Sequence, residues 1–170
     1  MSFLIREAKI EDACGAATVK VLTWQAAYRG IIPDDYLSAM DIDKYTERHK
    51  EFLGIADAGH QFVAEYDGQI IGILSLTKCR DDDKSDSGAI EAIYLLQEHW
   101  DKGYGKKLMD FAIDKLREHG YSEICIWTLD ENTRARKFYE KCGFSFDGAK
   151  MELVIGKPLI LVRYVLTLPI

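Results

Sequence analysis

The chain has few of the features that would commit it to a metal, a membrane or a polynucleotide. Its four cysteines, Cys14, Cys79, Cys125 and Cys142, fall in no paired C-x-x-C spacing. Disulfide and zinc frameworks are therefore not indicated, and reduced, mostly buried thiols are expected. No run approaches the roughly 18 apolar residues of a spanning helix, and the opening MSFLIREAKIED interrupts its apolar residues with charge instead of building a secretory h-region. A soluble cytoplasmic protein with no membrane association is the expectation. Positive charge is also in deficit. Lys and Arg number 22 against 28 Asp and Glu, a formal net charge of -6, which argues against nucleic acid as a partner and leans toward cationic small molecules or basic peptide ends. With no repeat or long linker, the 170 residues read as one domain, 1–170.

Periodicity then assigns the elements. Phe3 to Arg6 reads as a strand and Ile10 to Tyr28 as a helix, because Ile10, Ala13, Ala17, Val21, Trp24 and Tyr28 recur at three- and four-residue steps. Pro33 admits a short turn of helix, and Asp43 to Leu53 predicts another. Gln61 to Tyr66 and Gln69 to Thr77 are strands joined at Asp67-Gly68, a hairpin signal. Arg80 to Ser87, with four Asp and no large apolar residue, reads as a solvated loop; no patterned ligand loop accompanies the acids, so no metal is assigned. Ala89 to Leu96 is a strand, Lys106 to His119 an amphipathic helix, and Glu123 to Thr128 a further strand. Asp130 is positioned to cap a helix from Glu131 to Cys142, and Phe144–Ile155 and Leu159–Leu168 form an antiparallel return. The expected architecture is α/β (α+β), with a mixed, mainly antiparallel central sheet flanked by helices.

Two constellations carry chemistry. Gly103-Tyr104-Gly105 lies between a strand and a helix, where successive backbone N–H groups make a seat for phosphate. The third glycine of a dinucleotide fingerprint is missing, since residue 108 is Leu, and no G-x-x-x-x-G-K-S/T occurs. Lys102, Lys106 and Lys107 crowd the helix start, a conflict with the macrodipole that a bound anion would offset and that solvent exposure would also lessen. Further on, Asn132, Ala135 and Tyr139 share one helix face, with Asn132 and Tyr139 about 10 Å apart along the axis. Taken singly, each has an ordinary alternative: a helix-start turn, a cap-adjacent Asn, a core Tyr.

Both fragments in this order resemble the GCN5-related N-acetyltransferase family. IEAIYLLQEHWDKGYGKKLM is similar to its strand, pyrophosphate loop and helix, and ENTRARKFYEKCGF to its second cofactor motif. In the family pattern Q/R-x-x-G-x-G/A, Gly103 and Gly105 match while Trp100 stands at the first position. The resemblance implies acetyl-CoA as donor and the primary amine of a small molecule or a peptide N-terminus as acceptor. It implies that backbone groups around Tyr94, Leu95 and Leu96 hold the pantetheine arm, that Lys102 through Lys107 surround the pyrophosphate, and that the strand of Glu91 to Leu95 splays from the one near Ile124. It also implies that Tyr139 faces the sulfur as general acid. Glu91 is the candidate general base, acting through water, because it precedes Ile93 by two residues and shares its strand face in a regular strand. Trp24, Tyr28 and Tyr36 are candidates for the acceptor wall, in the segment WQAAYRGIIPDDYL. No Ser-His-Asp or Cys-His arrangement is visible, so direct transfer in a ternary complex is expected over an acyl-cysteine route. A CoA-binding protein without turnover is the competing class, and the apolar C-terminal strands leave a homodimer open.

Overall fold

The computed structural model describes residues 2–56 and 59–169. Seven strands form one sheet in the order β1-β2-β3-β4-β5-β7-β6, comprising β1 (Phe3–Glu7), β2 (His60–Tyr66), β3 (Gln69–Lys78), β4 (Gly88–Leu95), β5 (Glu123–Leu129), β6 (Ser145–Ile155) and β7 (Lys157–Thr167). Every neighbouring pair is antiparallel except β4 with β5. That one parallel pair is joined through helix α4 (Tyr104–Glu118), as a crossover requires. The other helices are α1 (Ala13–Ala27), α2 (Asp34–Ser38), α3 (Ile42–Leu53) and α5 (Thr133–Lys141). None is long and apolar enough to cross a membrane, among the described residues.

The two faces of the sheet are covered by different helices. Ala16 and Val19 of α1 pack on Val63 and Ile73, while Leu108, Met109, Ala112 and Leu116 of α4 pack with Phe62, Leu74 and Ile90 on the other side. Tyr139 and Phe144, from and just beyond α5, join the α4-side core. The β2–β3 hairpin turns on Asp67 and Gly68, both at positive φ (48° and 82°), the backbone of a tight hairpin whose twist matches the flanking strands.

Three expectations are corrected. The first helix starts at Ala13, not Ile10: the Asp12 carboxylate accepts from the Lys9 N–H at 2.7 Å and pairs with Arg6, fixing residues 10–12 as a tight 3-10 turn with Ile10 exposed. The last helix is capped by Asn132, whose Oδ1 accepts from the Ala135 N–H at 3.2 Å, while Asp130 is bound instead by Arg136 at 2.6 Å. The acidic stretch Arg80–Ser87 is no freely solvated loop. The nearly buried Arg163 of β7 donates to Asp81, Asp83 and Asp147 at 2.6–2.8 Å, and the Trp127 indole N–H adds a bond to Asp81 at 2.9 Å. The four cysteines are all free, with Cys79 and Cys125 buried, Cys142 half-buried and Cys14 exposed.

Candidate active site

β4 and β5 pair only at Gly88 with Ile124 and Ala89 with Cys125. Beyond that point β5 continues its ladder with β7 and β4 continues with β3, so the two strands part and leave a wedge. The Leu96 N–H donates to the Ile71 carbonyl at 2.9 Å. In an antiparallel ladder, alternate residues turn their N–H and C=O groups away from the partner strand, so those of Leu95 and Ile93 face the wedge. The Leu95 carbonyl is taken there by the Trp100 indole N–H at 2.6 Å and by the Thr23 hydroxyl at 3.3 Å. The N–H groups of Ile93 and Leu95 remain directed at the gap.

A cavity of about 410 Å³ occupies this wedge. Among the residues singled out from sequence, Ile93, Tyr94, Leu95, Gly103, Gly105, Lys106, Asn132, Ala135, Tyr139 and Tyr28 line it. At its mouth, Gly103 takes φ 84° as the N-cap of α4, a backbone that residues with a Cβ rarely adopt, and aims the first N–H groups of the helix outward. That arrangement binds anions through backbone dipoles. The lysines contribute less than their spacing implied. Lys106 is paired with Asp110 at 2.7 Å, and Lys107 lies over the Phe3 ring, which stacks on Tyr104. Tyr104, Lys107, Lys102 and Leu96 are not part of the cavity wall.

Inside the wedge, three phenols converge. Tyr139 is 7 % exposed, and burial, reinforced by nearby Tyr94 and Cys142, pushes its pKa well above the usual phenol value. Burial also raises the pKa of Tyr28 and of Tyr94. These hydroxyls stay protonated at neutral pH and act as donors. Glu91 is placed differently from the sequence expectation. The register between β3 and β4 shifts at Ser75/Leu76, which makes Glu91 the extra residue of a bulge. Ile90 and Ile93, three apart, both pack in the α4-side core, so Glu91 and Ala92 between them turn to the α1 face. Glu91 is exposed, pairs with Arg80 at 3.3 Å and lies outside the cavity wall.

Trp24, Tyr28 and Tyr36 gather on the α1 side. Trp24 and Tyr28 meet edge to face at 5.0 Å, and Tyr36 lies beside Tyr45 of α3. The Trp24 Nε1–H is buried and completes no hydrogen bond of full geometry, and the Tyr94 phenol is the acceptor beside it. Sequence reading missed Arg134, Lys137 and Lys141, which line the cavity from α5. Their i, i+3, i+7 spacing was visible and places three cations on one helix face at the mouth. Arg134 stands 4.5 Å over the Trp100 ring and pairs with Asp101 at 2.9 Å.

Comparison with known proteins adds the following. The model of the acetyltransferase (GNAT) family matches residues 22–144. An uncharacterized N-acetyltransferase of Bacillus subtilis, YuaI, is 32% identical over 131 residues, 75% of this chain and 72% of that protein. A probable N-acetyltransferase of Mycobacterium tuberculosis is 28% identical over 145 residues, covering 85% and 80% of the two chains. The crystal structure of PaiA N-acetyltransferase from Thermoplasma acidophilum in complex with coenzyme A superposes with a TM-score of 0.78 at 23% identity, covering 96% of this chain and 98% of that one. The fold is therefore shared with that enzyme.

Proposed function

The chain belongs to the acetyltransferase (GNAT) family, and from that premise we propose that it moves an acetyl group from acetyl-CoA to the primary amine of a small molecule or peptide, directly, in a ternary complex. The observation that carries this reading is the parting of β4 from β5, with the Tyr139 phenol inside the gap and the start of α4 at its mouth. A gap between strands accepts an extended arm through backbone hydrogen bonds, here from Ile93 and Leu95. The α4 N-terminus and the α5 cations Arg134, Lys137 and Lys141 suit the phosphates of such a donor.

Within this reading each group has one task. The Ile93 and Leu95 N–H groups hold the thioester and stabilise charge developing on its carbonyl oxygen. The acceptor nitrogen must shed a proton before its lone pair is available, and Glu91 on the α1 face takes it through water. As the N–C bond forms and the C–S bond breaks, Tyr139 supplies the proton that the departing sulfur requires. Burial keeps that phenol protonated until negative charge gathers beside it.

A CoA-thiol release screen over diverse amines and peptide N-termini, with mass analysis of the product, tests the reading. Transfer to an amine is expected, and Tyr139→Phe should lower kcat by about 10²-fold while leaving CoA affinity unchanged. CoA binding without thiol release from any acceptor would leave a donor-binding protein, and an unchanged rate in Tyr139→Phe with chemistry limiting would remove Tyr139 from the mechanism.

A further inference from the structure

On the α1 face, Lys20 and Arg48 carry positive charge that no carboxylate among the described residues pairs. The Lys20 Nζ of α1 lies 5.4 Å from the centre of the Trp24 ring and 4.8 Å from that of Tyr45. The Arg48 Cζ of α3 lies 5.1 Å from the same Tyr45 ring. His49 follows Arg48 and feels the charge of Lys20. Among the described residues, neither Lys20 nor Arg48 is in an ion pair, and the nearby Glu47 is taken by Lys50 at 2.9 Å. Burial lowers the pKa of both Lys20 and His49, and each is lowered further by a neighbouring cation. A like charge facing one that is largely withdrawn from water opposes folding. An anion placed among them reverses the sign of that interaction.

The cluster adjoins the wedge. Lys20 precedes the cavity-lining Thr23 by three residues, about 4.5 Å along the helix axis. Tyr45, which carries both cations on its ring, interacts with Tyr94 of the cavity wall. Trp24, between Lys20 and Tyr28, has a buried indole N–H with the Tyr94 phenol beside it. The α4 N-terminus and the α5 cations lie on the opposite face of the sheet, where the donor phosphates are placed. The α1–α3 face, to which Glu91 turns, is left for the acceptor.

We propose that the acceptor amine carries an oxyanion, a carboxylate or a phosphonate-type group, which docks on Lys20 and Arg48 while the amine reaches past Tyr94 to the gap between β4 and β5. This deepens the acetyl-transfer reading and rests on it. The net charge of -6 leans toward cationic acceptors, but surface charge elsewhere is screened within about 10 Å at moderate salt, so the local cations decide.

The test measures CoA release with paired acceptors: amino acids against their amides, and aminoalkylphosphonates against the parent alkylamines. Wild type should prefer the anionic member of at least one pair by about tenfold or more, the worth of a charge-assisted contact, and the two pair types distinguish carboxylate from phosphonate. Lys20→Met and Arg48→Met should raise KM for that anionic acceptor and abolish the preference, with kcat and CoA affinity retained. Arg48→Glu, at an exposed position, should shift the preference toward amides and alkylamines. Preference for neutral or cationic amines, an unchanged ratio in the variants, loss of CoA affinity in them, or no anionic acceptor turned over by CoA-binding protein would each overturn this inference and leave the family reading intact. Absence of CoA binding in wild type would remove the donor reading first and this one with it.

Discussion

Trp100 holds the position where the family's pyrophosphate loop has glutamine or arginine, and its role here is to tie that loop to the strand. Its indole N–H donates to the Leu95 carbonyl at 2.6 Å and its ring carries Arg134 at 4.5 Å. The loop is thus anchored at the wedge and roofed by a cation that can meet phosphate. Trp100→Phe keeps the ring and removes the hydrogen bond. Because Leu95 still accepts from Thr23, the expected cost is about 1 kcal/mol in urea unfolding, with CoA affinity falling only slightly. A loss as large as that of an unpaired buried carbonyl would mean that Thr23 does not compensate. Helix geometry in the sequence puts Asn132 and Tyr139 on one face and the Gly103 turn before a helix, but the tasks proposed for them come from the family resemblance. The Lys20–Tyr45–Arg48 stack could not be read there, because it joins residues of two helices whose packing no local periodicity encodes.

The loop between β3 and β4 shows how a polar segment becomes structural. Arg163 on β7 reaches Asp81, Asp83 and Asp147, and Lys84 pairs with Glu123 at 2.9 Å. Together they clasp the loop to β5, β6 and β7 at the end of the sheet where β4 and β5 are still paired. Replacing Arg163 by Met would leave Asp81 and Asp147, both largely covered, without their cation, and the expected loss is about 3 kcal/mol in chemical denaturation. An effect below the range of exposed pairs would show that solvent already screens the network. Charge alone identified Arg80–Ser87 as a loop, but the partner lies some eighty residues later in the chain, beyond any local reading. The bulge at Glu91 was hidden for a related reason: an inserted residue changes which face a side chain takes without changing its strand propensity.

Across the molecule, burial and ion pairing set opposite limits on stability. Asp12, Asp83 and Glu123 are held below the usual carboxylate range by Arg6, Arg163 and Lys84 respectively. Their contribution is present above a pH of about 4 and is lost as pH falls through the lowered values. Burial raises the phenols of Tyr28, Tyr94 and Tyr139 and pushes the Cys125 thiol up to about 12. These groups stabilise the fold below their ordinary values, about 8.5 for a thiol and about 10 for a phenol, and that contribution is lost as pH rises beyond them. Thermal unfolding followed across pH should therefore give a plateau between about 5 and 8 with Tm declining on both sides. A Tm still rising beyond pH 10 would contradict the burial of the three phenols.

The two hairpins and the crossover helix were legible because the Asp67-Gly68 turn, the return between β6 and β7 and the α4 stripe each act locally, whereas the order in which the strands join the sheet was not. The separation of β4 from β5 was available only through family resemblance, since it depends on where two strands stop pairing. That separation is the centre of the account, and backbone amide NMR during an acetyl-CoA titration tests it most directly. The largest shifts are predicted at the Ile93 and Leu95 amides and at the first amides of α4, Tyr104 to Lys106. Saturable binding that leaves those amides unmoved, or no binding, would contradict it.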